Sequence, residues 1–414
     1  MQHKPGVPKP VGTRAKPVGA RFSVSEQPTG HWHGEMHAGP GFGDGVSIRG
    51  WFSADWFLES HIVADINQSA TGTNISIVDS SWYGFLEAIE GGHEAGGSCG
   101  APPCGPPGRF TVSGLLSNVD SKGEWWYDMA AKMLYVYPAA EAPTGGGWRA
   151  EDLASVRLGQ WSSGGLLTLT NSSYVTVRDL TVSGTGAGTM VLLEGGDHNT
   201  VGGCTFKNSA ATAVGYAGGH SNRIVSNDIY DVANHLGTVA GNPEDNLQNL
   251  RPNNNLVGNN HFTNVYLAPA VWNVVISGTG TRFSRNLLHD TPREAFDPGG
   301  WGNPMQMIDH NEFMNTGYAV GDGGVMYVDA SQVQGYGMHV RENYIHHSLD
   351  IPELKGRNGL LFDDHFGGLS NCSGNVLYKA AVRPHSLAHL TMLCHVPHDV
   401  CRALGSSATE EAIT

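Results

Sequence analysis

The pentad NDIYD at residues 227–231 recurs along the second half of the chain, with changes that preserve its pattern. The later copies are NHFTN (260–264), NLLHD (286–290), NEFMN (311–315), NYIHH (343–347) and NVLYK (375–379). In every copy an asparagine is followed two residues later by a large apolar residue. Successive asparagines are 33, 26, 25, 32 and 32 residues apart. A period in this range is typical of a solenoid, in which each unit buries its apolar face only against its neighbours.

The repeating units are predicted to be strands, because their short apolar runs are separated by Gly and Asn. We therefore predict an all-β chain whose residues 160–380 form a right-handed parallel β-helix. Stacked coils would align the asparagines in a ladder, with each side chain capping backbone groups at a corner. The first coils read SYVTVRDLTVSG (173–184) and NTVGGCTFKN (199–208), and their predicted inward anchors are Leu180 and Phe206.

Three further regions flank or precede the solenoid. Residues 31–155 hold seven of the ten tryptophans and no repeat, with strand-like runs at Ser60–Asn67 and Leu134–Pro138. They predict a small, Trp-rich inserted β domain of barrel or sandwich type. Residues 1–30 are expected to be a disordered basic tail. Residues 381–414 do not continue the pattern and form an atypical C-terminal segment.

Composition excludes several classes of partner. Gly accounts for 57 of 414 residues and charged residues for only 15%, which suits a turn-rich β protein. The net charge of -14 disfavours a nucleic-acid surface, and no apolar run is long enough to span a membrane. Residues 1–10 lack the apolar core of a secretory signal. Four N-glycosylation triplets, at Asn67, Asn74, Asn171 and Asn371, nevertheless favour an extracellular protein.

The six cysteines do not predict a metal site. Cys204 stands at an apolar or asparagine position of the repeat, so we expect a buried thiol there. Two pairs, Cys99/Cys104 and Cys394/Cys401, are close enough in sequence for local disulfides. The His-rich stretch 385–398 fits no standard zinc spacing. No metal and no cofactor are therefore predicted.

Acidic residues near the strand ends are the candidates for chemistry. Asp297 and Asp322 each follow a predicted anchor by nine residues, which would put both at one corner of adjacent coils. Asp363 and Asp364 end the strand-like run GLLFDDH, where period-two alternation would turn Asp363 outward. Tyr327 is likewise expected to point outward, between inward Met326 and Val328.

Clustered carboxylates suit two kinds of chemistry. In glycoside hydrolysis one acts as acid/base, and the other acts as nucleophile or activates water. Alternatively, aspartate oxygens bind Ca²⁺, as a calcium-dependent polysaccharide lyase or epimerase would require. Aromatic residues such as Trp301 and Tyr327 stack on sugar rings, which suits a poly- or oligosaccharide partner in either case. A non-catalytic glycan-binding protein is the third hypothesis.

Four segments resemble glycoside hydrolase family 141 and its right-handed parallel β-helix relatives. They are RGWFSADWF (49–57), PGRFTVSGLLSNVDSKGEWWYDMAAKMLYVYP (107–138), GDGGVMY (321–327) and GLLFDDHFGGLSNCSGNVLY (359–378). The first two resemble the β-rich domain that the family inserts before its main helix. The last two resemble the family's DGG and DD motifs in the solenoid.

The resemblance implies a retaining glycosidase with two catalytic aspartates, in a family that includes fucosidases and xylanases. Matched by motif, these aspartates are Asp322 and Asp363, without assignment of acid and nucleophile, and Asp364 is the substitute for the second. Asp297, Trp301, Tyr327, Asp364 and His365 are the candidate substrate-binding residues. The chain departs from the family pattern at Leu361 and His365, and both of its ends look atypical, so an inactive, truncated relative is a further expectation.

Overall fold

A computed structural model of the chain describes seventeen segments of it. These are residues 21–24, 46–52, 58–69, 72–78, 109–128, 131–137, 165–185, 188–238, 251–265, 274–276, 278–297, 304–319, 323–329, 337–348, 357–363, 369–380 and 403–404. The chain divides into two compact units, one formed by Val7–Arg157 and the other by Leu158–Thr414 with Met1–Gly6. No α-helix occurs in the described segments, and so none offers a long apolar helix that could cross a membrane.

The smaller unit is built from antiparallel strands. They are β1 (Arg21–Val24), β2 (Ser47–Trp51), β3 (Glu59–Ser69), β4 (Gly72–Ile77), β5 (Arg109–Ser113), β6 (Trp125–Asp128) and β7 (Met133–Val136), with a short 3-10 helix at Leu116–Asn118. Five strands form one sheet in the order β1-β4-β3-β2-β5, and β6 pairs with β7. Ile48, Val63, Ile75 and Ile77 are completely buried in its core.

Of the two strands predicted in this unit, β3 covers the whole run Ser60–Asn67, and β7 covers the first three residues of the run Leu134–Pro138. The predicted disordered tail does not extend through Arg21–Val24, because these residues pair with Thr73–Ser76 as an edge strand of the sheet. The remainder of residues 1–30 lies outside the described segments.

The larger unit is a solenoid in which each full coil contributes a strand to each of three faces. The first face holds β9 (Thr176–Arg178), β12 (Thr200–Gly202), β14 (Arg223–Val225), β16 (Leu256–Gly258), β19 (Arg282–Ser284), β22 (Met307–Asp309), β25 (Met338–Arg341) and β28 (Leu369–Ser373). The second face holds β10 (Thr181–Ser183), the start of β13 (Thr205–Ala217), the start of β15 (Asp228–Thr238), β17 (His261–Val265), β20 (Leu287–Thr291), β23 (Glu312–Thr316), β26 (Tyr344–His346), β29 (Val376–Tyr378) and β30 (Ala403–Leu404).

The third face holds β8 (Leu167–Thr170), β11 (Thr189–Glu194), the ends of β13 and β15, β18 (Val274–Val275), β21 (Phe296–Asp297), β24 (Gly323–Asp329) and β27 (Arg357–Asp363). Strands β13 and β15 run through the corner and join the second face to the third. All strand pairs of this unit are parallel, from β8 with β11 to β29 with β30. The predicted all-β parallel β-helix is confirmed.

Apolar residues of the strands point inward on each face, and in-register pairing stacks them into columns. On the second face the column is Val182, Phe206, Ile229, Phe262, Leu288, Phe313, Ile345 and Leu377. The first-face column includes Phe283 and the third-face column includes Phe296, and their rings meet at 4.4 Å between centroids in the middle of the core. The predicted anchor Leu180 is wrong. Val182 pairs with Phe206, while Leu180 is 49% exposed, because the spacing from the ladder position to the anchor is two residues.

The asparagines of the repeat form the predicted ladder between the first and second faces. Each Oδ1 accepts the backbone N–H of the equivalent residue in the preceding coil at 2.9–3.0 Å, from Cys204 at one end to Asn343 at the other. Each Nδ2 donates to a first-face carbonyl oxygen of the preceding coil at 2.9–3.1 Å. The side chains are buried, so the ladder satisfies backbone groups that the corner would otherwise leave without partners.

Left-handed residues make the corners on both sides of this ladder. The residue before each ladder position has positive φ: Asp179, Gly203, Ser226, Asn259, Arg285, His310, Glu342 and Gly374. So does the residue two positions after each anchor: Asn208, Asp231, Asn264, Asp290, Asn315, His347 and Lys379. Asn and Asp tolerate this conformation best, which explains the last letter of most pentads. At Arg285 and Glu342 the stacked coils impose the conformation on residues that ordinarily avoid it.

A second, shorter asparagine ladder lies between the third and first faces and was not predicted. Asn199, Asn222 and Asn255 are buried, and each Oδ1 accepts the backbone N–H of the preceding coil at 2.9–3.0 Å. In later coils the column continues with Thr281 and Gln306, which are also buried. The change of residue type after three coils hides this ladder from a search for repeats.

Cys204 occupies the first rung of the long ladder and is buried at 1% exposure, as predicted. Its backbone N–H donates to Asn227 Oδ1 at 3.0 Å, so the thiol replaces the asparagine side chain without breaking the backbone pattern. Cys372 is half-buried, and the other four cysteines lie outside the described segments.

Replacement of Asn286 by alanine tests the ladder. We expect the free energy of unfolding to fall by about 2–5 kcal/mol, because the backbone N–H of Asn260 and the carbonyl of Val257 would lose buried partners. The measurement is urea unfolding followed by circular dichroism.

The matched control is Asn264→Gly, at an exposed left-handed corner of the preceding coil, where we expect a loss below about 1 kcal/mol. Equal losses in the two variants would mean that the ladder contributes no more than an ordinary surface asparagine.

Candidate functional site

The three motifs that carry the candidate aspartates lie on neighbouring strands of the third face. Strand β21 ends at Asp297, β24 begins one residue after Asp322, and β27 ends at Asp363. The strand order across this face is β27-β24-β21-β18. Sequentially distant motifs are therefore brought together by the stacking of successive coils.

The register shows which residues lie side by side. Phe296 pairs with Met326, which pairs with Leu360, and these form the inward column. One residue further along, Asp297 lies level with Tyr327, which pairs with Leu361. Met326 is buried as predicted and Tyr327 is half-buried. Asp297 is only 6% exposed, so it is not an open surface carboxylate.

Asp297 follows its anchor Leu288 by nine residues, whereas Tyr327, level with it on the next strand, follows anchor Phe313 by fourteen. Thr291 pairs with Thr316, and Phe296 pairs with Met326. The coil of β24 thus contains five more residues between the second and third faces than the coil of β21. Because the extra residues fall between the two faces, a count from the second-face anchor gives the wrong position for the residues of the third face.

The register also brings forward a carboxylate that the sequence analysis missed. Asp329, at the end of β24, is the direct partner of Asp363 at the end of β27. Adjacent parallel strands are about 4.8 Å apart, and paired residues share a face of the sheet. The signal was present in the sequence, because Asp329 follows Tyr327 by two residues and so shares its predicted outward face.

A buried ion pair lies just before β21 in the chain. Arg293 Nε and Glu294 Oε2 are 3.2 Å apart, and both side chains are almost completely buried. A lyase acting on an acidic polysaccharide would require a basic residue near the aspartates, and Arg293 lies four residues before Asp297 in sequence. Its pairing with Glu294 leaves its charge compensated within the fold.

Four of the predicted site residues lie outside the described segments: Asp322, Trp301, Asp364 and His365. For Asp363 the structure describes the backbone position. Among the described residues, no three His, Cys, Asp or Glu side chains gather as a metal site.

The first face carries a buried carboxylate of a different kind, at Asp309. Arg282 donates to its two oxygens at 3.2 and 2.7 Å, and Arg341 lies at 3.6 Å. Burial by itself raises the pKa of Asp309, but the hydrogen bonds and charge of Arg282, with the nearby His310, outweigh it and hold the pKa below its ordinary value. Such a carboxylate stays ionised. It links neighbouring coils through its contacts with the arginines and is unsuited to donate a proton.

The comparisons with known proteins assign no family to this chain. No known family matches the sequence, and no curated protein matches it. A solved structure described as "Glycoside hydrolase" is similar at a TM-score of 0.43 and 11% sequence identity. The similarity covers 84% of this chain and 70% of that one. It is a distant likeness, across which residue roles do not transfer.

Replacement of Asp309 by asparagine tests the assignment of this carboxylate to stability. We expect a loss of about 1–3 kcal/mol in the free energy of unfolding at pH 7. Because the folded pKa of Asp309 is depressed, its contribution is complete above the unfolded pKa of about 3.9 and is lost as pH falls through the folded value. The difference between wild type and variant should therefore shrink below about pH 4 in urea unfolding experiments.

The control is Asp179→Asn, which removes the carboxylate of an exposed pair with Arg178 in the same solenoid. It should change stability by less than about 1 kcal/mol at any pH. A pH-independent loss in Asp309→Asn would show that packing, and not the ionised carboxylate, holds the first face at this point.

Proposed function

We propose that this protein is a retaining glycoside hydrolase of the family 141 type, acting on a poly- or oligosaccharide at the third face of the solenoid. The observation that carries the proposal is the pairing of β24 with β27. The DGG motif leads into one of these strands and the DD motif ends the other. Two motifs that resemble catalytic segments of one family are therefore side by side.

The proposed mechanism uses two carboxylates. One protonates the glycosidic oxygen while the other attacks the anomeric carbon, which breaks the bond to the leaving sugar and forms a glycosyl-enzyme ester. Water, deprotonated by the first carboxylate, then hydrolyses the ester and restores both groups. A retaining enzyme needs its carboxyl groups about 5–5.5 Å apart.

Asp363 is one member of the proposed pair. The other is an aspartate of β24 or the aspartate that directly precedes it in sequence. The family resemblance points to Asp322, which is bonded to the first residue of β24. The register points to Asp329, the direct neighbour of Asp363. Neighbouring strands at about 4.8 Å suit the short carboxyl separation of a retaining enzyme.

The remaining candidates would hold the sugar. Tyr327 lies next to Leu361 on the row beside the Asp329–Asp363 pair, where an aromatic ring can stack on a sugar face. Asp297, level with Tyr327, forms the buried end of that row. We propose Trp301, Asp364 and His365 as further aromatic and hydrogen-bonding contacts to the substrate.

The test is release of reducing sugar from a panel of plant and algal polysaccharides and aryl glycosides, with and without EDTA. We expect EDTA-insensitive release by the wild type and a loss of about 10²–10⁴-fold in Asp363→Asn. Of Asp322→Asn and Asp329→Asn, the variant that loses activity to the same extent identifies the second catalytic carboxylate.

Asp179→Asn, at an exposed corner distant in sequence from these motifs, is the control and should retain full activity. Activity that disappears with EDTA and returns with Ca²⁺ would replace the proposal by a calcium-dependent lyase or epimerase. Sugar binding without release, unchanged in all three aspartate variants, would indicate a non-catalytic glycan-binding protein.

A further inference from the structure

The outer surface of the second face carries two histidines that meet across neighbouring coils. His261 lies one residue before anchor Phe262 on β17, and His289 lies one residue after anchor Leu288 on β20. Alternation directs both side chains away from the core. Their Nε2 atoms are 2.7 Å apart, and the rings are 22° from coplanar with centroids 4.9 Å apart. The two nitrogens thus face each other head to head, with a hydrogen required between them.

The other nitrogen of each ring faces a carboxylate. His261 Nδ1 lies 3.3 Å from Asp228 Oδ1, and His289 Nδ1 lies 2.6 Å from Asp290 Oδ2. Thr263 Oγ1 also approaches His289 Nδ1, at 3.2 Å. A carboxylate that accepts the Nδ1 proton fixes the ring orientation and leaves the lone pair on Nε2. This arrangement is the usual outer support of metal-bound histidine.

We propose that His261 and His289 together bind a transition-metal ion of the class that imidazole prefers, namely Cu²⁺, Ni²⁺ or Zn²⁺. Two metal–nitrogen bonds of about 2.0–2.1 Å at a tetrahedral angle place the nitrogens about 3.3 Å apart. The present separation of 2.7 Å needs to open by roughly half an ångström, which small side-chain rotations supply. The ion takes the place of the shared hydrogen.

Access and ligand number define the expected strength of the site. The side chains of His261 and His289 are 39% and 18% exposed, so an ion can reach them from solvent. No third His, Cys, Asp or Glu of the described residues joins them in a metal-binding group, so solvent completes the coordination. The site is therefore weaker than a four-ligand structural zinc site, and nitrogen donors select it against Ca²⁺ and Mg²⁺.

The bound ion would join two successive coils on their outer side. Phe262 and Leu288 stack between the same two strands on the inner side. Binding to the folded chain alone stabilises it, because the two histidines are 28 residues apart in sequence and meet only when the coils stack. This proposal concerns the second face and does not depend on the function proposed for the third.

The experiment is titration of the metal-free full-length protein with Cu²⁺, Ni²⁺ and Zn²⁺ against a chromophoric chelator at pH 7.5. We expect wild type to bind one equivalent more than His261→Gln or His289→Gln, with Cu²⁺ bound tightest. Electron paramagnetic resonance of the Cu²⁺ complex should show coupling to two nitrogens from this site, and the signal should be lost in each variant. Asp290→Asn keeps both imidazoles and should weaken binding by about 10- to 100-fold.

His198→Asn is the control, because His198 is an exposed histidine outside the proposed site whose ring stacks on that of Tyr174, with 4.8 Å between the centroids. It should bind as many equivalents as wild type. Equal stoichiometry in wild type and both His→Gln variants would overturn the proposal. Circular dichroism establishes that each variant is folded, and an unchanged affinity in folded Asp290→Asn would likewise contradict the assigned role of the carboxylate.

Discussion

The fold depends on one buried hydrogen-bonding unit, the asparagine side chain that links each coil to the next. At the corner between the first and second faces the backbone leaves the sheet, and its amide and carbonyl groups lose their strand partners. The asparagine replaces both, because its oxygen accepts an N–H and its nitrogen donates to a carbonyl in the preceding coil. Only an amide of this length offers both functions at once, which accounts for its return in six coils.

The ladder also sets the register between the strands of successive coils. A fixed corner places the anchor two residues later, so the apolar residues of successive coils stack into columns that bury Phe206, Phe262 and Phe313 completely or nearly so. The same corner requires left-handed residues on either side. The conformational cost of these left-handed residues is offset by the packing of the apolar columns and the hydrogen bonds of the asparagine ladder. Even Arg285 therefore adopts this conformation.

Register decides chemistry as well as packing. On the third face it pairs Asp363 with Asp329, two residues that lie 34 positions apart in sequence. On the second face it brings together His261 and His289, which occupy different positions of the repeated pentad. On the first face it surrounds Asp309 with two arginines from neighbouring coils. Ionisable groups of similar type therefore take different roles according to the neighbours that the next coil supplies.

The sequence by itself determined the solenoid, the strand-based coils, the ladder and the buried thiol at Cys204, because each depends on a residue type that recurs at a nearly constant interval. It also indicated the face on which Met326 and Tyr327 lie, since alternation along a strand is a local rule. It misplaced the first anchor at Leu180. That coil lies at the end of the repeat and has no ladder asparagine from which to count the two residues to the anchor.

Tertiary structure alone decided what lies side by side on adjacent coils. The coil of β24 has five more residues between its second and third faces than the coil of β21, and sequence counting cannot assign those residues to a loop or a strand. The shorter ladder of Asn199, Asn222 and Asn255, the Asp329–Asp363 pair and the His261–His289 pair all depend on such lateral contacts. Residue spacing records position along the chain, whereas these contacts arise from hydrogen bonding perpendicular to it.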